Sequence, residues 1–439
     1  MVRPRFELTA SPRPVANPVA IRGRHILLTL LMTALLGLGV FLRIQPSSGF
    51  HHAGYDEHGY MMFVKQVQTV GLWNYDAVVQ AYIERQYQRP DAVVPATRIS
   101  FLAPAAAIAE FFHLDEFRAL RTVAATASIL LLGLSALFAY RLGGIPAMIG
   151  VTALIATAPL QIHLSQRALI DGYFAFWAIA ALWLVWENLQ HPGHRGWLYS
   201  YSLCLTILVL TKENAAFVVF AIFALLLLNR FLRFGVVTPH LLVATIVGPL
   251  LAILILGALA GGLWEWVQFN RMFVAKSRTN FYSVIAQDGP WYRYLVDFVI
   301  LWPLPVTFAC GHIFQLRERN RADLFMATFL CLSIGLMSTV RYGMSLRYAA
   351  FCEVPLAWLA CSQVFALARR VSRWRAALAT IILLGLALSG LQQYRRFFVD
   401  GAIYDPTTAA LVRSAGMEKS PPTITPSVSA GAESKTTHP

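Results

Sequence analysis

Asp56 and Glu57 are adjacent carboxylates in a polar stretch that also carries His51, His52, Tyr55, His58 and Tyr60. Arg98 follows at the edge of an apolar run, Arg167 and Asp171 flank a second polar break, Lys212 and Glu213 form a third, and Arg347 with Tyr348 a fourth. Carboxylates of this kind can take a proton from a reacting hydroxyl, and cations can hold an anionic group while charge develops on it. In a transporter the same residue types would bind a solute and couple it to protons. Each also has a purely structural reading. Asp56 or Asp171 can cap a helix start, Lys212 and Glu213 can pair with each other in their turn, and Arg347 can snorkel to a membrane surface. A cap accounts for one acid, whereas Asp56 and Glu57 are two, beside three histidines.

The elements that must position these groups are membrane helices. The chain has 439 residues, 57% hydrophobic and 13% charged, with mean hydropathy +0.57, against roughly 45 to 50% apolar and about 25% charged in soluble domains. With roughly 20 apolar residues needed per span, the expected architecture is an all-α polytopic membrane protein of about eleven transmembrane helices, forming one domain over 25–393. Net charge of +14 then reflects topology and implies no nucleic-acid partner. The five cysteines, Cys204, Cys310, Cys331, Cys352 and Cys361, lie in or beside apolar runs without metal-like spacing, which fits ordinary packing.

Arg3, Arg5, Arg13, Arg22 and Arg24 precede the first apolar run, so the positive-inside rule puts segment 1–24 in the cytoplasm. The run 25–43 reads as an anchor helix, since no small-residue cleavage site follows it. Segment 44–121 is then a first outer loop with two juxtamembrane helices. One is amphipathic, starting at Asp56 with Tyr60, Met61, Phe63, Val64, Val67 and Val70 at helical spacing. The other is Ile99–Phe112, interrupted by Pro104 and too short to span. Further spans follow at 122–140, 145–162, 171–189, 197–211, 214–230, 240–260, 291–313, 323–340, 348–367 and 375–393, with outer loops at 163–171 and 261–290. This register places Arg141, Arg230, Arg233, the cluster 317–321 and Arg369, Arg370, Arg373 and Arg375 inside, and every candidate site residue outside. Arg395 and Arg396 fall outside but are outnumbered by the four arginines before that span. The segment 394–439 is an outer tail, largely disordered by its composition.

On these residues the chain resembles the membrane glycosyltransferases of the type-C fold, specifically the group containing protein O-mannosyltransferases and the aminoarabinose transferase of lipid A. Asp56, Glu57 and Tyr60 match that family's Asp-Glu-x-x-Tyr pattern in the first outer loop. The run 169–177 around Asp171 is similar to its second acidic loop feeding a helix, and Arg347 and Tyr348, with Pro355 downstream, are similar to its late Arg-Tyr-Pro helix start. The resemblance covers roughly 25–365. One departure is that the aminoarabinose transferase has a lysine in a Glu-Lys-Pro context before the second juxtamembrane helix, where this chain has Arg98 after Ala96 and Thr97.

The resemblance implies a sugar donor linked to a polyprenyl phosphate, with transfer to a hydroxyl of a lipid, glycan or protein acceptor at the outer face. It makes Asp56 the general base, Glu57 a group orienting acceptor or sugar, and Asp171 a group positioning polar parts of either. Arg98, Arg347, Tyr348 and Lys212 become the phosphate-binding set, arginine pairing with phosphate bidentately. Attack opposite the leaving phosphate inverts the sugar configuration, as in single-displacement glycoside chemistry. No cofactor is implied, and His51, His52 and His58 are the alternative ligands were a metal used. The expected location is a bacterial inner membrane with the site on its periplasmic face. Competing readings are a transporter or lipid-linked-sugar flippase, which inverted repeats and broken mid-membrane helices would mark, and a non-catalytic subunit with this fold.

The topology has a direct check. Single cysteines near Asp56, Lys212 and Gly289 should react with an impermeant thiol reagent on intact cells, and one near Arg317 only after permeabilisation. Labelling at Arg317 in intact cells would overturn the scheme.

Overall fold

The computed structural model describes residues 18–45, 53–280, 283, 287–316, 320–340, 343–371 and 373–401. Expectations about 1–17, His51, His52, the arginines at 317–319 and the tail beyond 401 lie outside the described residues. The described residues form helices and no strand. In order these are α1 (Pro18–Ile44), α2 (Tyr55–Val70), α3 (Tyr75–Gln88), α4 (Ile99–Phe112), α5 (Glu116–Ala156), α6 (Pro159–Ser165), α7 (Ile170–Gln190), α8 (Arg195–Thr211) and α9 (Ala215–Leu232). They continue with α10 (Pro239–Leu259), α11 (Leu263–Thr279), α12 (Arg293–Leu301), α13 (Pro303–Ile313), α14 (Arg321–Met337), α15 (Glu353–Ala368) and α16 (Arg375–Tyr394). A 3₁₀ segment, Leu346–Cys352, leads into α15.

Among the described residues, seven stretches can cross a membrane by length and composition: Ile26–Ile44, Glu116–Ala156, Ile170–Gln190, Ala215–Leu232, Pro239–Leu259, Leu346–Ala368 and Arg375–Asp400. The other expected spans are shorter pieces. α8 and α14 have 17 residues each, and 291–313 breaks at the fully buried Trp302, whose φ of −138° and ψ of 57° precede Pro303. The residue before a proline is pushed out of the helical region.

Two expected spans lie end to end in α5. Arg43, fully buried on α1, donates to Ser128 Oγ at 2.9 Å and to the Ile155 carbonyl at 2.9 Å. A straight helix would hold those two partners about 40 Å apart at 1.5 Å per residue, so α5 doubles back. The reversal is at Gly144, with φ 73° and ψ −164°, a conformation that a side chain disfavours.

Two apolar cores result, one within the long helices and one among the shorter ones. The second core is built by Tyr60, Phe63, Val64 and Val67 of α2 against Tyr82 of α3, Phe101 of α4 and Phe269 of α11. The amphipathic face of α2 is as its spacing predicts, except that Val70 is exposed. Between α2 and α4 lies a third helix, α3, that the expectation of two omitted; its face of Tyr75, Val78, Val79, Tyr82 and Ile83 is buried, and it is secured by tertiary contacts. Lys276 of α11 donates to the carbonyls of Gln86 at 2.6 Å and Arg89 at 2.5 Å, satisfying the C-terminal end of α3.

At the opposite ends of the long helices, buried Asp323 of α14 accepts from Trp358 Nε1 at 2.8 Å and Ser362 Oγ at 3.0 Å, both on α15, and contacts His312 Nε2 of α13 at 2.7 Å. Close packing of α8 and α10 depends on Gly248, where an added Cβ would lie 2.5 Å from the Ser202 carbonyl oxygen, while Thr206 donates to the Gly248 carbonyl at 2.9 Å. Gly248→Ala should therefore lower stability by about 1–3 kcal/mol. Gly133→Ala in α5, where nothing lies within 4 Å of the new Cβ, should be neutral or stabilising by under about 1 kcal/mol. Thermal unfolding in detergent compares the two, and equal shifts would refute the packing argument.

Candidate active site

The polar residues singled out in the sequence sit at helix ends, and the helices bring those ends together. Asp56 lies in the first turn of α2. Arg98 is the residue before α4, Asp171 is in the first turn of α7, Lys212 and Glu213 fill the turn between α8 and α9, and Arg347 and Tyr348 lie in the 3₁₀ segment before α15. Several helix N-termini thus converge, and their partial positive charge favours anions there.

Three acid–cation pairs form the centre. Lys212 Nζ is 2.5 Å from Asp171 Oδ1, with both side chains 3% exposed. Arg98 Nη2 donates to Glu213 Oε2 at 2.9 Å, and Arg98 Nη1 donates to the Tyr60 hydroxyl. Arg347 Nη2 donates to Asp56 Oδ2 at 3.2 Å. The Lys212 ammonium also stands 3.7 Å from the centroid of the Tyr348 ring, a cation–π contact. Tyr348 in turn receives a hydrogen bond from Gln287 Nε2 at 3.3 Å, so the segment before α12 touches the cluster.

Burial and neighbouring charge set the protonation of the groups outside the long helices. Burial pulls the Lys212 ammonium down to about 8, and Arg98 and Arg347 push the same way against the support of Asp171. Burial would raise the Glu213 carboxyl, but Arg98, by charge and hydrogen bond, holds it below its ordinary value. Burial raises the Tyr60 phenol well above its ordinary range despite Arg98, so Tyr60 stays a neutral hydroxyl.

Glu57 is placed apart from this centre. It is fully buried, accepts from the Gly54 backbone N–H at 2.5 Å and from the Ala168 N–H at 2.7 Å, and pairs with Arg167. The capping role considered for Asp56 therefore belongs to Glu57, which closes back onto Gly54 before α2. Asp171 likewise turns to Lys212. The mutual pair considered for Lys212 and Glu213 does not form; the two diverge to Asp171 and Arg98. His58 contacts the Gly54 carbonyl through Nδ1 at 2.9 Å, and among the described residues no three His, Cys, Asp or Glu side chains converge as metal ligands.

Six of the seven residues named from sequence, Asp56, Asp171, Arg98, Arg347, Tyr348 and Lys212, therefore share one cluster. Sequence reasoning did not assign Glu213 or Tyr60 to it. The missing signal was the counter-charge of Arg98: a buried guanidinium needs an acid, and Glu213 was the unassigned acid beside an assigned lysine.

Residues 98–312 match the family model described as dolichyl-phosphate-mannose-protein mannosyltransferase. Among solved structures, the chain is similar to the oligosaccharyltransferase AglB from Archaeoglobus fulgidus in complex with an inhibitory peptide and a dolichol-phosphate, at 14% identity and TM-score 0.58, covering 84% of this chain and 56% of that one. It is also similar to ArnT from Cupriavidus metallidurans bound to undecaprenyl phosphate, at 15% identity and TM-score 0.53, covering 90% of this chain and 78% of that one. The chain thus spans just over half the length of the archaeal protein. Among curated proteins no sequence matches it. The chain is a polytopic membrane protein that shares the fold of the AglB and ArnT structures, and its residues 98–312 match the mannosyltransferase family model.

The inner pair of the cluster is open to a double-mutant test. Leaving one partner of a buried pair alone costs about 3–5 kcal/mol, so Lys212→Met and Asp171→Asn should each lower the thermal midpoint in detergent. The double variant should lose clearly less than the sum, and strict additivity would mean that the pair does not hold the cluster.

Proposed function

We propose that this chain transfers a sugar from a polyprenyl phosphate to an acceptor hydroxyl at the outer face of a membrane, with inversion at the anomeric carbon. The observation that carries the reading is the meeting of Asp56, Asp171 and Glu213 with Arg98, Lys212 and Arg347 at the gathered helix ends. Such a cluster offers a base for a hydroxyl and cations for a phosphate. The dolichol-phosphate in the AglB complex and the undecaprenyl phosphate in the ArnT complex are phosphate lipids of the proposed donor class.

In the proposed step the acceptor oxygen bonds to the anomeric carbon as the bond from that carbon to the phosphate oxygen breaks. The acceptor proton passes to Asp56, and the bonding pair leaves with the lipid phosphate. The phosphate changes from one negative charge to two while Asp56 changes from one to none, so the net charge of the site is unchanged through the transfer. Arg347 and Arg98 stabilise the charge that grows on the leaving group, Lys212 keeps Asp171 oriented, and Glu57 holds the start of α2 from behind. The reading takes the membrane to be a bacterial inner membrane and requires no metal or other cofactor.

Asp56→Asn keeps the size and leaves the Gly54–Glu57 cap intact. Purified in detergent and supplied with radiolabelled polyprenyl phosphate sugars and membrane extract, this variant should fold normally and lose transfer by roughly 10²- to 10⁴-fold, the usual contribution of a positioned base. Near-normal transfer at matched protein would remove Asp56 from the role and make Asp171 the next residue to substitute.

A further inference from the structure

We infer that Asp56 is a competitor for the donor as well as its base: the donor phosphate takes the place of the Asp56 carboxylate on Arg347, so that seating the donor releases the base. The inference rests on the donor reading above. Asp171, Glu213 and Asp56 balance Lys212, Arg98 and Arg347 one for one. An arriving phosphate diester therefore enters a cluster with no surplus positive charge among the described residues, and in a medium poor in water an added anion is stabilised only if a cation is given up to it.

The three pairs are not equally ready to open. Lys212 and Asp171 are both buried, 2.5 Å apart. Glu213 is 35% exposed but held by Arg98 at 2.9 Å, within the usual length of a charge-assisted bond. Asp56 has a single hydrogen-bond partner among the described residues, Arg347 at 3.2 Å, the long end of the normal range. Its side chain is 29% exposed while that of Arg347 is 3% exposed. A small rotation takes Asp56 into water and leaves the guanidinium behind, fixed among its neighbours. Asp171 is buried, and Glu213, though comparably exposed, is held by the shorter bond.

Releasing Asp56 from Arg347 has a second effect. The freed carboxylate can turn toward an acceptor hydroxyl only when a donor is seated. Asp56 thereby lowers donor affinity in the resting site and is available to the acceptor in the loaded one. A residue acting only as a base would leave donor affinity unchanged.

Equilibrium binding of radiolabelled undecaprenyl phosphate, which carries no sugar and cannot be turned over, to the full-length protein in nanodiscs separates these cases. Asp56→Asn should bind about 2- to 10-fold more tightly than the wild type, the equilibrium equivalent of one net hydrogen bond. Asp56→Ser, which removes the carboxylate with a smaller group, should shift affinity the same way. Arg347→Ala should bind about tenfold more weakly or worse, Arg347→Lys should recover part of that loss, and adding Asp56→Asn to Arg347→Ala should change nothing further. Binding by the wild type that is weakened by Arg347→Ala but not tightened by either Asp56 variant would overturn the exchange and leave the donor reading standing. Absence of saturable lipid-phosphate binding by the wild type would overturn the donor reading and the exchange with it.

Discussion

Charges taken out of water must be neutralised where they sit, and the end of this protein that carries the cluster is arranged around that requirement. Lys212, Arg98 and Arg347 each meet an acid from a different part of the chain. An unpaired member would be costly in so apolar a surrounding, so each pair ties two elements together. Asp171 with Lys212 joins α7 to the α8–α9 turn, Glu213 with Arg98 joins that turn to α4, and Arg347 with Asp56 joins the segment before α15 to α2. The helix ends that carry the cluster are held by the same contacts that compose it.

A second set of buried polar contacts sets the frame behind those ends. Arg43 grips both arms of the doubled α5. Gln166 donates to the carbonyls of Leu42 at 2.6 Å and Gln45 at 2.8 Å at the end of α1, and accepts from the Tyr394 hydroxyl of α16 at 2.9 Å. Next to it, Arg167 and the Ala168 N–H receive Glu57. The short stretch around α6 therefore connects the first helix, the last helix and the start of α2. Glu57 and Asp56 are neighbours in the chain with opposite situations: Glu57 is locked inside this frame, and Asp56 stands at its edge.

Periodicity and hydropathy make much of the fold legible in the sequence. The ends of α4, the buried face of α2 and the positions of the long apolar helices are written in residue spacing, because burying apolar faces and satisfying the backbone within each helix are local requirements. Most of the site residues were visible for a related reason, since an ionisable group beside an apolar run is conspicuous and costly. One short helix was missed: α3 carries apolar residues at helical spacing, Tyr75, Val78, Val79, Tyr82 and Ile83, but its C-terminal end is satisfied by Lys276 from far along the chain.

Pairing was decided only by the tertiary structure. Lys212 could have met Glu213, its neighbour in sequence, yet it meets Asp171, 41 residues away, while Glu213 meets Arg98, 115 residues away. Sequence identifies which charges need partners, whereas the choice among partners depends on which helix ends face each other across the bundle. The same holds for Asp56 and Glu57. Their residue types are nearly equivalent, and what separates a locked acid from an accessible one is the position of Arg167 and Ala168 on one side and of Arg347 on the other. Those positions follow from how the long helices pack against one another, which no local spacing encodes.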